Sequence, residues 1–267
     1  MRLGFLIQTD TLERQTIQLI RALTNNNHAV FIIINDDKDR QEAFYNFSTS
    51  RLIHIEQDLP YANIGDLSLS YFYLHMMKKG IEQYRIDYFI SLDPRMVPLK
   101  NDEEMISFFE KYYPQNFYII DKEKPDPKRI NRYYPFTNFK SFSTNAFVQN
   151  YSKATAFILN TLGIRRRLNF EVLQGLPYFA ISNEGAKLLI QDIRFITDYF
   201  KLSWFCEKTG LITLFDKHLK DTQNDTQIFD FKDNNTLDNS SKDNILFGGI
   251  YSEKEAKLAI NKYKKES

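Results

Sequence analysis

Residues Asp87-Tyr88-Phe89-Ile90-Ser91-Leu92-Asp93-Pro94-Arg95-Met96-Val97-Pro98-Leu99-Lys100 decide how the chain folds. Tyr88 to Leu92 is a short apolar run, the pattern of a strand buried on both faces. It stops abruptly at Asp93-Pro94, and Pro98 keeps the next residues irregular. Asn101 or Asp102 can then cap a helix that carries Met105, Ile106 and Phe109 on one face. A strand ending in a polar loop before a helix is where α/β sheets place their ligands. Asp93 is thereby placed at the lip of a site.

Upstream, Leu3 to Ile7 reads as a first strand. Leu12, Thr16, Leu19, Ile20 and Leu23 follow on one helical face, with Asp10 or Thr11 as cap. Asn25 to Asn27 breaks that helix, and Ala29 to Ile34 is a β-branched buried strand ending in Asn35-Asp36-Asp37-Lys38-Asp39. Arg51 to Ile55 is a third strand, and from Gly65 a helix carries Leu67, Tyr71, Leu74 and Lys78. Downstream, Phe117 to Ile120 and Gly175 to Ser182 read as strands. Helices are expected over Ser152 to Leu162, from Ala186 through Thr197, and over Glu207 to Leu219. Pro125 to Asn145 reads as a long functional loop. Asp221 to Asn244 is polar loop with little to bury, Ile245 to Tyr251 returns to the sheet, and Glu253 to Tyr263 ends as a charged helix. Strands and helices alternating at this spacing predict one α/β domain over residues 1–267, with a mostly parallel central sheet flanked by helices.

Composition narrows the function. The 267 residues carry a net charge of +1, so no global field draws the chain to nucleic acid or to an anionic membrane. A single cysteine, Cys206, excludes an internal disulfide and suits a reducing compartment. Met1 to Ile7 lacks the apolar core of a signal peptide, and no run reaches the ~18 apolar residues of a membrane span. A cytoplasmic location is the expectation. The 16 Tyr and 23 Phe are many for this size; most must be core, but such a surplus also suits a cleft that stacks flat or ring-shaped ligands.

Familiar catalytic motifs are missing: there is no Gly-x-Gly-x-x-Gly, P-loop, His-Glu-x-x-His or Gly-x-Ser-x-Gly. The histidines at 28, 54, 75 and 218 lack metal-ligand spacing. Asp36, Asp37 and Asp39 close a buried strand, either as ribose or base contacts or as a solvated turn. Asp37-Lys38-Asp39 spells the carboxylate pair that can hold a metal on a diphosphate, but the central strand ends in only one carboxylate, Asp93. Glu207 stands at a helix start, as a dipole-favoured cap or as a general base at a cleft edge. Arg165-Arg166-Arg167 and Lys128-Arg129 to Arg132 are cationic patches, solvated faces or phosphate clamps.

Five segments in order resemble the core-2/I-branching glycosyltransferases, to which the peptide xylosyltransferases also belong. Ile33-Ile34-Asn35-Asp36-Asp37-Lys38 is similar to the family's Ile-His-x-Asp-Lys turn, and Ile64-Gly65-Asp66-Leu67-Ser68-Leu69 to its Trp-Gly-x-x-Ser-Leu helix start. Ile86 to Lys100 resembles its Tyr-Asp-Tyr-Phe-x-x-Leu-Ser-Gly-x-Asp-x-Pro-Leu-Lys segment. Gly175 to Ser182 looks like its Gly-Ser-x-Trp/Tyr-Phe-x-Leu-Ser strand. Cys206-Glu207 with Thr213 resembles its Asp-Glu segment, one residue longer.

The resemblance implies a GT-A-like nucleotide-sugar-binding fold and inverting transfer from a UDP-sugar to a saccharide hydroxyl, with no metal or other cofactor. N-acetylglucosamine or another hexose is the sugar it suggests. It implies Glu207 as base, Asp36, Asp37 and Gly65 at the nucleotide, and Asp93, Arg129, Arg132 and Tyr178 at the donor and acceptor sugars. The family's C-terminal Phe-Ala-Arg-Lys-Phe, which helps neutralise the leaving diphosphate, corresponds to Phe247-Gly248-Gly249-Ile250-Tyr251, without a basic residue. Lys242, Lys254, Arg165 and Arg166 are the substitutes, or backbone N–H groups of Gly248 and Gly249. The acceptor is expected to be a saccharide, lipid-linked or on a glycoprotein, and a lipid-linked one would bring the protein to a membrane surface. The alternative is a non-catalytic relative, a sugar-binding or partner subunit. Polysaccharide biosynthesis is the expected setting.

Overall fold

The computed structural model describes residues 1–142, 144–230 and 244–249, with 259, 260 and 263. Parallel strands β1 (Leu3–Thr9), β2 (Ala29–Ile34), β3 (Ile53–Ile55) and β4 (Tyr88–Leu92) form the heart of a six-stranded sheet. It is completed by β7 (Gly175–Ser182), antiparallel to β4, and β6 (Phe117–Ile120), antiparallel to β7. The spatial order is β3-β2-β1-β4-β7-β6. The chain runs outward from β1 to β3, then returns to the other side of β1 as β4. Strand order therefore reverses between β1 and β4, the place where such sheets open a crevice beyond their carboxyl ends.

Alternation along the strands divides the core into two layers. Phe5, Ile7, Ile32, Ile34, Ile90 and Leu92 pack on one face, under helices α1 (Arg14–Asn25) and α4 (Asp102–Tyr112). Leu6, Phe31, Ile33, Phe89 and Ile181 pack on the other, under α3 (Leu67–Lys79), α7 (Asn183–Gln191), α8 (Arg194–Phe200) and α9 (Cys206–Leu219). The mostly parallel, helix-flanked α/β sheet expected from sequence is what the chain builds.

The differences have physical reasons. Asp10 does not cap α1, because its carboxylate accepts from Asn35 Nδ2 at 2.8 Å and the helix begins after Glu13. Helix α2 (Asp37–Phe47) escaped notice because only Ala43 and Phe47 of it are buried, leaving no apolar face to read. The helix expected to start at Gly65 starts at Leu67, where the Asp66 side chain accepts from Ser68 N–H at 2.6 Å. Helix α6 (Ala146–Thr161) begins six residues before Ser152, with Asn145 accepting from the Phe147 and Val148 N–H groups. The helix expected from Ala186 through Thr197 is two, broken at Asp192-Ile193. The long loop after β6 contains a short helix, α5 (Pro127–Asn131). Asn101 caps α4 with a reciprocal bond from its own N–H to Glu104.

Ile245 onward does not rejoin the main sheet. Strand β9 (Phe247–Gly248) lies between β5 (Val97–Pro98) and β8 (Phe229–Asp230) in a small second sheet. Lys242, Lys254, Ile250, Tyr251 and most of the helix expected over Glu253–Tyr263 lie outside the described residues.

Candidate active site

The carboxyl ends of β1, β2 and β4 meet at one edge of the sheet, and β7, being antiparallel, enters there. Asn35, at the end of β2, fastens two neighbouring loops to this edge. Its Nδ2 donates to Asp10 at 2.8 Å and to the Ala62 carbonyl at 3.2 Å, while its Oδ1 accepts from Ala62 N–H at 2.9 Å. The loop leading to α3 is thereby pinned beside β2. Asn63 extends the link by donating to the carbonyls of Phe139 and Lys140.

Gly65 in that loop has φ +101°, a left-handed conformation that glycine adopts without strain. A Cβ here would also stand 3.4 Å from Trp204 Nε1. Held this way, Gly65 grips the start of α9 twice: its N–H donates to Glu207 Oε2 at 3.1 Å, and its carbonyl accepts from Phe205 N–H at 2.7 Å. Phe205 itself sits at φ +61°, turning the chain so that Glu207 enters the first turn of α9 pointing inward.

Glu207 is completely buried. Burial pushes its carboxyl up to about 7, against its own N–H, the Gly65 N–H and the positive charge of Lys208. Nearby Asp66, itself raised by burial, adds to the rise. Oε1 has no hydrogen-bond partner among the described residues. A buried oxygen without a donor, on a carboxyl that changes charge near neutrality, has the properties of a general base.

Across the crevice, Asp93 lies after β4. Arg95 donates to it through Nε at 3.0 Å and Nη2 at 3.1 Å. Tyr178, near the start of β7, is hydrogen-bonded to Asp93. Burial and that carboxylate push its phenol up to about 12. Buried Tyr73 of α3 lies within electrostatic range of Tyr178, Glu207 and Asp93, and burial followed by those three raises its hydroxyl well above the ordinary range. Tyr73 thus stands between the two halves of the crevice, within electrostatic reach of each.

Beside Glu207 opens a cleft of about 180 Å³ lined by Arg129, Leu176, Ser203, Trp204, Phe205 and Lys208, among others. Arg129 and Lys208 lie over the Phe205 ring at 5.3 and 5.5 Å. Arg132 packs instead over Phe157 at 5.8 Å and hydrogen-bonds Tyr134. Trp204 is the chain's one tryptophan, stacked on Phe205 with Lys153 4.8 Å above it. Sequence reading missed Trp204, Phe205, Lys208 and Tyr73. A lone Trp three residues before the candidate base was the one available signal.

Most of the other expected residues already have partners within the fold. Asp36 caps α2, accepting from Lys38 and Asp39 N–H groups, and the Asp39 N–H leads in lowering its carboxyl. Asp37 is exposed and faces Lys140 at 3.3 Å. Asp39 accepts from Leu12 N–H at 2.7 Å, so Asp37 and Asp39 diverge. Arg166 is buried and donates to the carbonyls of Ile130 and Lys201, both at 2.6 Å. It is a clip between loops, with its guanidinium engaged by those two carbonyls. Arg165 is exposed. Gly248, paired with Val97, comes within a few residues of Asp93, with Gly249 following it. Among the described residues one grouping has metal-ligand proximity, Glu56, Asp58 and His75. Glu56 is already engaged by His54 and the N–H groups of Asp58 and Leu59.

The chain matches the family Core-2/I-Branching enzyme over residues 3–227 and belongs to it, which makes it a glycosyltransferase-type protein. No curated protein sequence is significantly similar. Solved structures that are similar include 4-diphosphocytidyl-2C-methyl-D-erythritol synthase from Anaerococcus prevotii, with 11% identity, 98% of each chain covered and a TM-score of 0.40. A197 from STIV has 13% identity, a TM-score of 0.31, and covers 70% of this chain and 68% of its own. A UDP-glucose pyrophosphorylase mutant from Leishmania major has 8% identity, a TM-score of 0.36, and covers 71% and 52%. Among the described residues no helix is long and apolar enough to cross a membrane.

Proposed function

We propose that this member of the family transfers a hexose or N-acetylhexosamine from a UDP-sugar to a saccharide hydroxyl, with inversion at the anomeric carbon. The observation that carries the reading is Glu207: fully buried, held through Oε2 by Gly65, with Oε1 unpartnered. In the reaction Oε1 takes the proton of the acceptor hydroxyl as its oxygen attacks the anomeric carbon. The bond to the diphosphate breaks on the opposite face, through an oxocarbenium-like transition state. Trp204 and Phe205 form the aromatic wall of the cleft that would receive the acceptor. Tyr178 and Asp93 close the sugar site from the β4 side.

Negative charge gathers on the departing diphosphate and needs a cation. Here the site supplies Arg95 beside Asp93 and, at the cleft, Arg129 and Lys208. The N–H groups of Gly248 and Gly249 add neutral donors. No paired carboxylates stand at the end of β4, which supports a reaction without a metal. A buried lone cysteine suits a cytoplasmic enzyme.

A panel of UDP-sugars, each scored for transfer and hydrolysis, tests the reading. Turnover of at least one, lost in Glu207→Gln while UDP still binds, is the expected result. A second reading has its own observation: the Phe247-Gly248-Gly249 strand is not basic where the family carries Arg-Lys. It describes a sugar-binding subunit without catalysis. Calorimetry separates the two, because such a subunit should release no heat with millimolar UDP.

A further inference from the structure

Helix α6 spans about 24 Å at 1.5 Å per residue, yet only Ser152 and Ala156 of its 16 residues are buried. On the opposite face Phe147, Tyr151, Ile158 and Leu162 recur at i, i+4, i+11 and i+15, one stripe of the helix. They are 77%, 56%, 57% and 70% exposed. Single apolar side chains in water need no explanation, but a stripe along four turns does. The Phe147 and Tyr151 rings stack on each other at 6.5 Å, so the stripe is continuous at its start.

The charge around this helix is one-sided. Residues 127–170 contain eight Lys and Arg and no Asp or Glu, in a chain whose net charge is only +1. Arg166 is buried and Lys140 faces Asp37. Among the described residues the remaining six, including Lys153, Arg165 and Arg167, have no carboxylate partner. Lys153 sits on α6, and Arg132 reaches onto its Phe157. Arg165 and Arg167 follow just beyond its C-terminal end.

We propose that α6 is a membrane-surface anchor, lying flat on an anionic phospholipid bilayer with Phe147, Tyr151, Ile158 and Leu162 in the acyl boundary. The surrounding Lys and Arg meet the lipid phosphates. An apolar helix face set among cations that lack carboxylate partners, within a 44-residue stretch free of acid, matches what such a bilayer binds. A protein partner with an apolar groove would not require 44 residues free of acid. The anchor borders the candidate active site, since Lys153 of α6 covers Trp204 in the cleft wall. The bound protein would hold its acceptor side at the lipid headgroups. The anchor does not depend on the sugar donor, so its failure would leave the transfer reading standing.

Flotation of the full chain with vesicles tests the anchor. The protein should float with phosphatidylcholine–phosphatidylglycerol vesicles, stay behind with phosphatidylcholine alone, and be released by added salt. The triple variant Phe147→Ser/Ile158→Ser/Leu162→Ser should reduce partitioning about tenfold. Arg165→Gln/Arg167→Gln, which touches only exposed side chains, should do likewise. No flotation with anionic vesicles, or flotation unchanged in both variants, would overturn the proposal. So would a concentration-dependent dimer that the triple serine variant abolishes, since a second copy would then cover the stripe.

Discussion

Replacing Glu207 with Gln should damage catalysis and stabilise the fold at the same pH, and the two effects can be measured separately. Lifting the carboxyl from its ordinary 4.5 to about 7 corresponds, at ~1.4 kcal/mol per pH unit, to roughly 3 kcal/mol. The sign follows from linkage: a carboxyl raised in the folded state costs stability whenever it must ionise there. The penalty is complete above pH ~7, shrinks as pH falls, and vanishes below the unfolded value. Glutamine carries no such penalty, although its new N–H₂ lacks an acceptor, at a cost of about 1 kcal/mol. At pH 8 the variant should gain about 2 kcal/mol, near 4 °C in Tm for a chain of this size. At pH 5 the difference should vanish or change sign. Scanning calorimetry at both pH values checks this. An equal Tm difference at pH 5 and pH 8 would refute a buried, ionising Glu207. Turnover should meanwhile fall by ~10² or more, and wild-type kcat/KM should rise with pH around neutrality as the base ionises.

Gly65→Ala should cost about 1–3 kcal/mol, because alanine resists φ +101°, and should lower kcat by shifting the N–H that holds Glu207; thermal melts and initial rates read both. Arg166→Met strands the carbonyls of Ile130 and Lys201, and should lower stability by about 2–4 kcal/mol in urea titration while far-UV circular dichroism is retained. Tyr178→Phe removes the hydroxyl at Asp93, and should weaken donor use by about tenfold in kcat/KM with little change in Tm. If the departing diphosphate is neutralised by arginine and lysine, a chelator should leave the rate of transfer unchanged; a chelator-sensitive rate restored by added divalent metal would exclude that account.

Much of the sheet could be read from sequence because β1, β2, β4 and β7 are buried runs with sharp ends, and buried strands tolerate few alternatives. Helices with one apolar face, such as α4, were equally legible. Helix α2 was not, since its contacts are few and its start at Asp36 looks like any acidic turn. The pairing of β9 with β5 was also hidden. Two-residue strands carry no periodicity, and their partners are chosen by the folded chain. Glu207 stood out as a carboxylate at a helix start, but its burial and its grip on Gly65 arise from contacts 142 residues apart. Arg166 misled for the opposite reason: three consecutive arginines advertise charge, while the middle one is turned inward to clip two carbonyls.

The pair of hydrogen bonds between Asn35 and Ala62 has a mechanical consequence. Only two residues of backbone, Asn63 and Ile64, lie between that clasp and the one Gly65 makes with Glu207. Under the proposed function, a nucleotide that reseats the tip of the second strand would pull on a very short tether tied to the Glu207 carboxyl. In that reaction, occupancy at one station of the crevice would set the aim of the group at the other.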